Sequence, residues 1–221
     1  MPYSNAYKGV KKIFSAQIIS LIGTAVLLLF SIISIFVLAA VNNGSSVSSP
    51  GPGSVLNLLI PVCSGVLVLV CFILELIGVI QAKADEPSFI KALIFLIVSF
   101  VLNLLSIVFP NNSIVRNIFS VISTAVGFAA TLFIVRSIQV LARKLARDDV
   151  ERNGRVFIRL FLISTILVLV TGILLIFAAA VSNSVLTSIT NYVAPLSGIL
   201  TIVASIVYLV FLRRAVRMLE A

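Results

Sequence analysis

No histidine occurs anywhere in the 221 residues, and that absence removes whole classes of chemistry. Zinc-protease motifs need paired histidines, serine triads need an imidazole base, and histidine-dependent lipid phosphatases are excluded with them. Acids are nearly as scarce: there are seven, and Glu75 alone lies deep in an apolar stretch. An intramembrane aspartyl dyad is therefore excluded, and no paired-acid metal motif or glycine-rich phosphate loop appears, Gly154 and Gly198 being isolated. Ser64-Gly65 and Ser197-Gly198 have no general base of suitable type nearby. Together these gaps predict a chain that is not an enzyme and takes no cofactor or metal. The two cysteines, Cys63 and Cys71, stand eight apart on one apolar segment. A straight helix separates them by about 12 Å, too far for a disulfide, so they read as buried free thiols.

Charge of either sign is also sparse. Only 10% of residues are charged and 61% are hydrophobic, with a mean hydropathy of +1.26. A soluble domain carries about 25% charged residues, and with so few this chain would have to show large apolar patches to water. Six apolar stretches reach the roughly 20 residues that a helix needs to cross a bilayer: 13–41, 55–80, 89–109, 118–142, 156–181 and 192–212. Period-two alternation is missing, which argues against a β-barrel. The expected fold is an all-α membrane protein, a six-transmembrane-helix bundle forming one domain over 1–221. The apolar stretch behind Lys8, Lys11 and Lys12 is too long for a signal peptide and reads as an anchor.

The basic residues give that bundle a direction. Lys8, Lys11 and Lys12 precede the first span, and Lys83 and Lys91 flank the second connection. Arg143, Lys144, Arg147, Arg152, Arg155 and Arg159 surround the fourth, and Arg213, Arg214 and Arg217 follow the last span. Of the other two, Arg116 falls on the opposite side and Arg136 within a span. Positive-inside bias then places both termini in the cytoplasm of a cell-membrane protein. Because topology accounts for the net charge of +9, nucleic acid is not an expected partner. The outer connections are uncharged Gly/Ser/Pro or Asn/Ser segments, notably 42–54, and carry the sequons Asn43-Gly44-Ser45 and Asn111-Asn112-Ser113.

A weak internal repeat follows. Aligned on Lys12, Lys91 and Arg159, the odd helices place Thr24, Asn103 and Thr171 in register, then Phe30, Phe109 and Phe177. The even helices align on Ser64, Ser123 and Ser197. The expectation is three helical hairpins with pseudo-threefold character. Rows of small residues (Ala16/Ser20/Thr24, Ser123/Gly127/Thr131 and Ser197/Thr201/Ser205) predict close helix approach, with a polar solute path as the alternative.

Three residues are candidate binding positions. Glu75 and Arg136 are the ionisable side chains inside spans, at similar depth on helices of the same direction, which suggests an ion pair. A proton- or solute-coupling role is the alternative. Asn103, an amide deep in the third span, is expected to make an interhelical hydrogen bond. Opposite charges at i,i+4 from Lys144 to Arg155 predict that the fourth helix projects past the membrane and stops near Asn153-Gly154, offering a site for a cytoplasmic protein partner over 143–155. Asp85-Glu86-Pro87 is expected to cap and start the third helix.

The runs Tyr7-Lys8-Gly9-Val10-Lys11-Lys12-Ile13-Phe14 and Ala84-Asp85-Glu86-Pro87-Ser88-Phe89-Ile90-Lys91-Ala92 resemble small uncharacterised six-helix membrane proteins of Gram-positive bacteria, a resemblance that implies no function. Size, span count and a long first outer loop are similar to the substrate-binding membrane subunits of energy-coupling-factor importers. The row Ala16/Ser20/Thr24 departs from the alanine pairs expected there. The leading expectation is a non-catalytic structural, regulatory or partner-binding membrane protein in contact with lipid, and able to form oligomers. A small-solute transporter or an importer's vitamin-binding subunit is the alternative.

Overall fold

The computed structural model of the protein describes residues 3–42, 52–110, 114–181 and 184–220. Six helices make up almost all of these: α1 Ser4–Asn42, α2 Pro52–Lys83, α3 Phe89–Val108, α4 Ile114–Lys144, α5 Asp148–Val181 and α6 Ser184–Glu220. No strand occurs among the described residues. All six helices are long and apolar enough to span a membrane, the form in which a chain satisfies its backbone polar groups internally in lipid. Large aliphatic side chains stand outward along them, with Ile107 64% and Val108 78% exposed on α3.

Several helices outrun the apolar stretches. α1 starts at Ser4, ahead of its first lysine, and α6 starts at Ser184 rather than 192. α2 begins at Pro52, so the end of the 42–54 linker is helical; proline suits a first helical turn because its missing N–H would have no partner there. The rest of that linker (43–51), the sequon Asn111-Asn112-Ser113 and residues 182–183 lie outside the described residues.

The largest departure from expectation falls between α4 and α5. The fourth helix does not project to Asn153-Gly154; it stops at Lys144. Ala146 adopts a left-handed backbone (φ 52°). The Arg147 amide bonds to the Ala142 carbonyl at 2.9 Å and the Ala146 amide to that of Arg143 at 3.1 Å. This is a Schellman ending, which satisfies the last carbonyls of a helix. Alanine holds a position that usually selects glycine, so composition did not reveal the stop. α5 then begins with Asp148, Asp149 and Glu151 in its first turn, negative charge against the positive end of the helix dipole. Gly154 lies inside α5, buried, where an added Cβ would sit 2.6 Å from the Gln139 Nε2 of α4.

The chain divides into two compact units, Ser15–Glu75 and Met1–Phe14 with Leu76–Ala221. In the smaller unit α1 and α2 run antiparallel, with Gly23 under Leu67 and the Cys71 thiol 3.5 Å from the Ala16 carbonyl. Cys63 is exposed and Cys71 half-buried, so the thiols are free but Cys63 is not interior as expected. In the larger unit the start of α1 and the end of α2 meet at Gly9 and Gly78. A Cβ on Gly9 would come within 2.3 Å of the Gly78 carbonyl, so only glycine permits this backbone approach. α3 packs on α4, α4 on α5 and α5 on α6, and the contacts run antiparallel. On α5 and α6, for example, Phe157 stacks on Tyr208 and Ser164 reaches Thr201.

The apolar core of this unit sits where the charges are. Val10 and Ile13, Val79 and Ala82, Phe89, Ile138 and Leu141, Val150 and Phe157, Phe211 and Leu212 are all buried together. Phe157 is its aromatic hub, with ring centroids 5.0 Å from Phe161, 4.9 Å from Tyr208 and 6.3 Å from Phe211.

Candidate functional site

The sequence-derived candidates fall in three different settings. Glu75 is half-buried on α2, and its Oε1 accepts a hydrogen bond from the Gln17 amide of α1. Gln17 was not singled out from the sequence, although it is an amide in the first span at the level of Glu75 in the α1–α2 hairpin. Arg136 belongs to the larger unit and is exposed on α4, between buried Val135 and Ser137. An arginine on such a face reaches toward the charged end through its apolar stem. Glu75 and Arg136 are members of different units.

Asn103 does not occupy the seam assigned to it. Its side chain is exposed on α3, and its carbonyl accepts a hydrogen bond from Ser106 at 2.7 Å. The polar link between α3 and α4 comes from one turn earlier. Ser99 Oγ donates to the Ser123 carbonyl at 3.1 Å, and Ser123 Oγ donates to the Ser99 carbonyl at 2.9 Å. Small hydroxyls fit where the helices touch most closely: a Cβ on Gly127 would lie 3.0 Å from Ser99 Oγ. An asparagine is too bulky for that contact.

A cavity of about 210 Å³ lies between α4, α5 and α6, lined by Ser120, Thr124, Thr171 and Ser197 together with valine and leucine side chains. No charged residue lines it. Thr124 Oγ1 donates to the Ser120 carbonyl and Thr171 Oγ1 to the Leu167 carbonyl, each at 2.8 Å. Their protons are thus committed to the helix backbone, and what those hydroxyls offer the cavity is acceptor lone pairs. With the Ser120 and Ser197 hydroxyls also in the lining, the chemistry available is hydrogen bonding to a small uncharged polar group. Thr171 lines this cavity and Asn103 does not.

The charge-bearing end is built by its few acids. Asp85 accepts from the Asn5 amide at 3.0 Å and from the Ala6 backbone N–H at 2.7 Å. It therefore caps the start of α1, whereas α3 begins at Phe89 and Ser88 ahead of it makes no side-chain cap. Glu86 is 6% exposed and bonds Lys144 Nζ at the end of α4, 2.5 Å away. Burial pushes the Glu86 carboxyl up, but the hydrogen bonds from Lys144 and Ser88 outweigh it and hold the group below the usual carboxylate range. Arg143 places Nε and an Nη on Glu151 Oε1 at 3.0 and 2.8 Å, and Gln139 donates to the Glu151 carbonyl at 3.3 Å. Tyr7 Oη reaches Glu220 at 3.4 Å, so the first and last helices meet here. The segment 143–155 is therefore folded back onto α4, and a projecting helix as a partner platform is not what forms.

No protein-family model, no curated protein and no solved structure matches this chain.

Proposed function

We propose that the chain is a multi-pass cell-membrane protein whose first helix begins, and whose last helix ends, on the cytoplasmic side. It acts without catalysis, as a structural, regulatory or partner-binding component of the membrane. The observation that carries this reading is the one-sided distribution of charge. Fourteen of the sixteen basic residues gather at the end where Asp85, Glu86 and Glu151 tie helices together. Acids engaged in holding helix ends are architectural, and the cations left outward follow the positive-inside pattern. The antiparallel pairs α1–α2, α3–α4 and α5–α6 fit a three-hairpin repeat. Its polar register positions nevertheless differ in setting, since Thr24 and Asn103 are exposed and Thr171 is buried.

The hydroxyl-lined cavity favours a second reading, a small-solute transporter or the membrane substrate-binding subunit of an importer. Mass spectrometry of the purified protein separates the two. The leading reading expects lipid, or a non-enzymatic protein partner, to accompany the chain. Recovery of a stoichiometric vitamin-like solute, or of an ATPase subunit, would overturn it in favour of transport.

A further inference from the structure

The kind of cation changes along the chain. Apart from Lys144, the basic residues up to Lys91 are all lysine and those after it all arginine. α5 and α6 carry arginine only: Arg152, Arg155 and Arg159 near the start of α5, and Arg213, Arg214 and Arg217 near the end of α6. All six are exposed. The Phe157 contacts with Tyr208 and Phe211 set the two helices in antiparallel register, which brings the six to the same end.

Helical periodicity places them on the outward faces. At about 100° per residue, the buried positions Val150, Gly154, Phe157, Phe161 and Ser164 fall on one side of α5, and its three arginines fall opposite. On α6 the buried side holds Tyr208, Phe211, Leu212, Ala215 and Met218, again with the arginines away from it. Asp148 is exposed four residues before Arg152, and two other acids nearby are engaged elsewhere. Glu151 is hydrogen-bonded to Arg143, with Arg155 adding only a longer-range attraction, and Asp149 lies 3.4 Å from Arg147. Among the described residues, none of the six arginines forms an ion pair.

We propose that the arginine face of each of these two helices, turned away from the other, docks anionic phospholipids whose headgroup ends in an open phosphate, a phosphomonoester, at the membrane boundary. Guanidinium presents a planar fork that matches two phosphate oxygens at once, whereas lysine acts as a point charge. Three forks within two turns of one helix suit a dianionic phosphate better than a diester, which has fewer free oxygens and less charge. The face also lies where these helices leave their apolar stretches, at headgroup level. The inference requires that the chain span a membrane, but it holds for either sidedness and with or without transport.

The test uses the full-length protein in nanodiscs of phosphatidylcholine doped with phosphatidate or, separately, with phosphatidylglycerol. Native mass spectrometry reads the lipid retained. The wild type is expected to keep phosphatidate several-fold over phosphatidylglycerol. A charge-preserving variant, R155K/R159K/R213K/R217K, is expected to lose that preference while still holding anionic lipid over phosphatidylcholine. A lysine-side control, K8Q/K83Q/K91Q, is expected to leave the preference intact. A wild type without preference, a four-lysine variant that keeps it, or a control that abolishes it would each overturn the proposal. Should the fourfold variant fail to fold, R155K/R159K alone must at least halve the preference, and an unchanged value counts against the arginine face.

Discussion

At the charge-bearing end of the larger unit, Phe157 is fully buried and stacked among Phe161, Tyr208 and Phe211. Around that core, Asp85 and Glu86 link segments far apart in sequence, and Glu151 ties the start of α5 to the end of α4. Farther along the same helices, contact passes through small hydroxyls instead, Ser99 with Ser123 and Ser164 with Thr201. There α4, α5 and α6 leave a cavity unfilled. The difference fits a bilayer that covers the apolar lengths of these helices and leaves their charged end nearer water. Where water is near, acids and bases can be tied at modest desolvation cost and apolar burial drives packing. In lipid there is no such drive between helices, so close approach and hydroxyl contacts must suffice.

The comparison can be broken by substitution. Phe157→Ala should have the largest effect, about 3 kcal/mol lost as a cavity opens in the aromatic hub. Thermal unfolding in mild detergent checks it; a shift no larger than that of Ser123→Ala would mean that the two regions are not differently held. Asp85→Ala removes the cap of α1 and should cost about 1 kcal/mol, seen as faster amide exchange at the start of α1. Exchange that speeds instead at α3 would restore the local-cap reading.

Glu86 sharpens the comparison through pH. Its folded carboxyl is held below the ordinary glutamate value of about 4.3, so its contribution is fully present above that value. It is lost as pH falls through the depressed value. The stability gap between wild type and Glu86→Gln should be widest near neutral pH and close in acid; a gap that does not vary with pH would remove Lys144 as the cause. Ser123→Ala should be the smallest effect, about 0.6 kcal/mol, measured in the same unfolding assay.

Much of the helical pattern was legible in the sequence because lipid imposes a simple rule. An apolar run near 20 residues must be a helix, and each of the six runs is one. Polar detail was less legible. The i,i+4 charges from Lys144 to Arg155 predicted one continuous helix, since local pairs favour that state. The chain instead turns at Ala146, a residue with no turn signal of its own. Asp85 looked like a local cap for α3, yet its nearest donor is an amide of α1 brought in by folding. Asn103 stood out as the deep amide, whereas the contact went to serines small enough for the seam.

Length, hydropathy and charge act residue by residue, so six helices fit for lipid, with fourteen of sixteen cations gathered at the termini and around alternate connections, could be read along the chain. Which acid caps which helix, where α4 stops, that Gln17 meets Glu75, and that the arginines of α5 and α6 stand exposed at the same end follow from folding alone. Those outcomes depend on distances between residues remote in the chain, and pattern along the chain does not carry such distances.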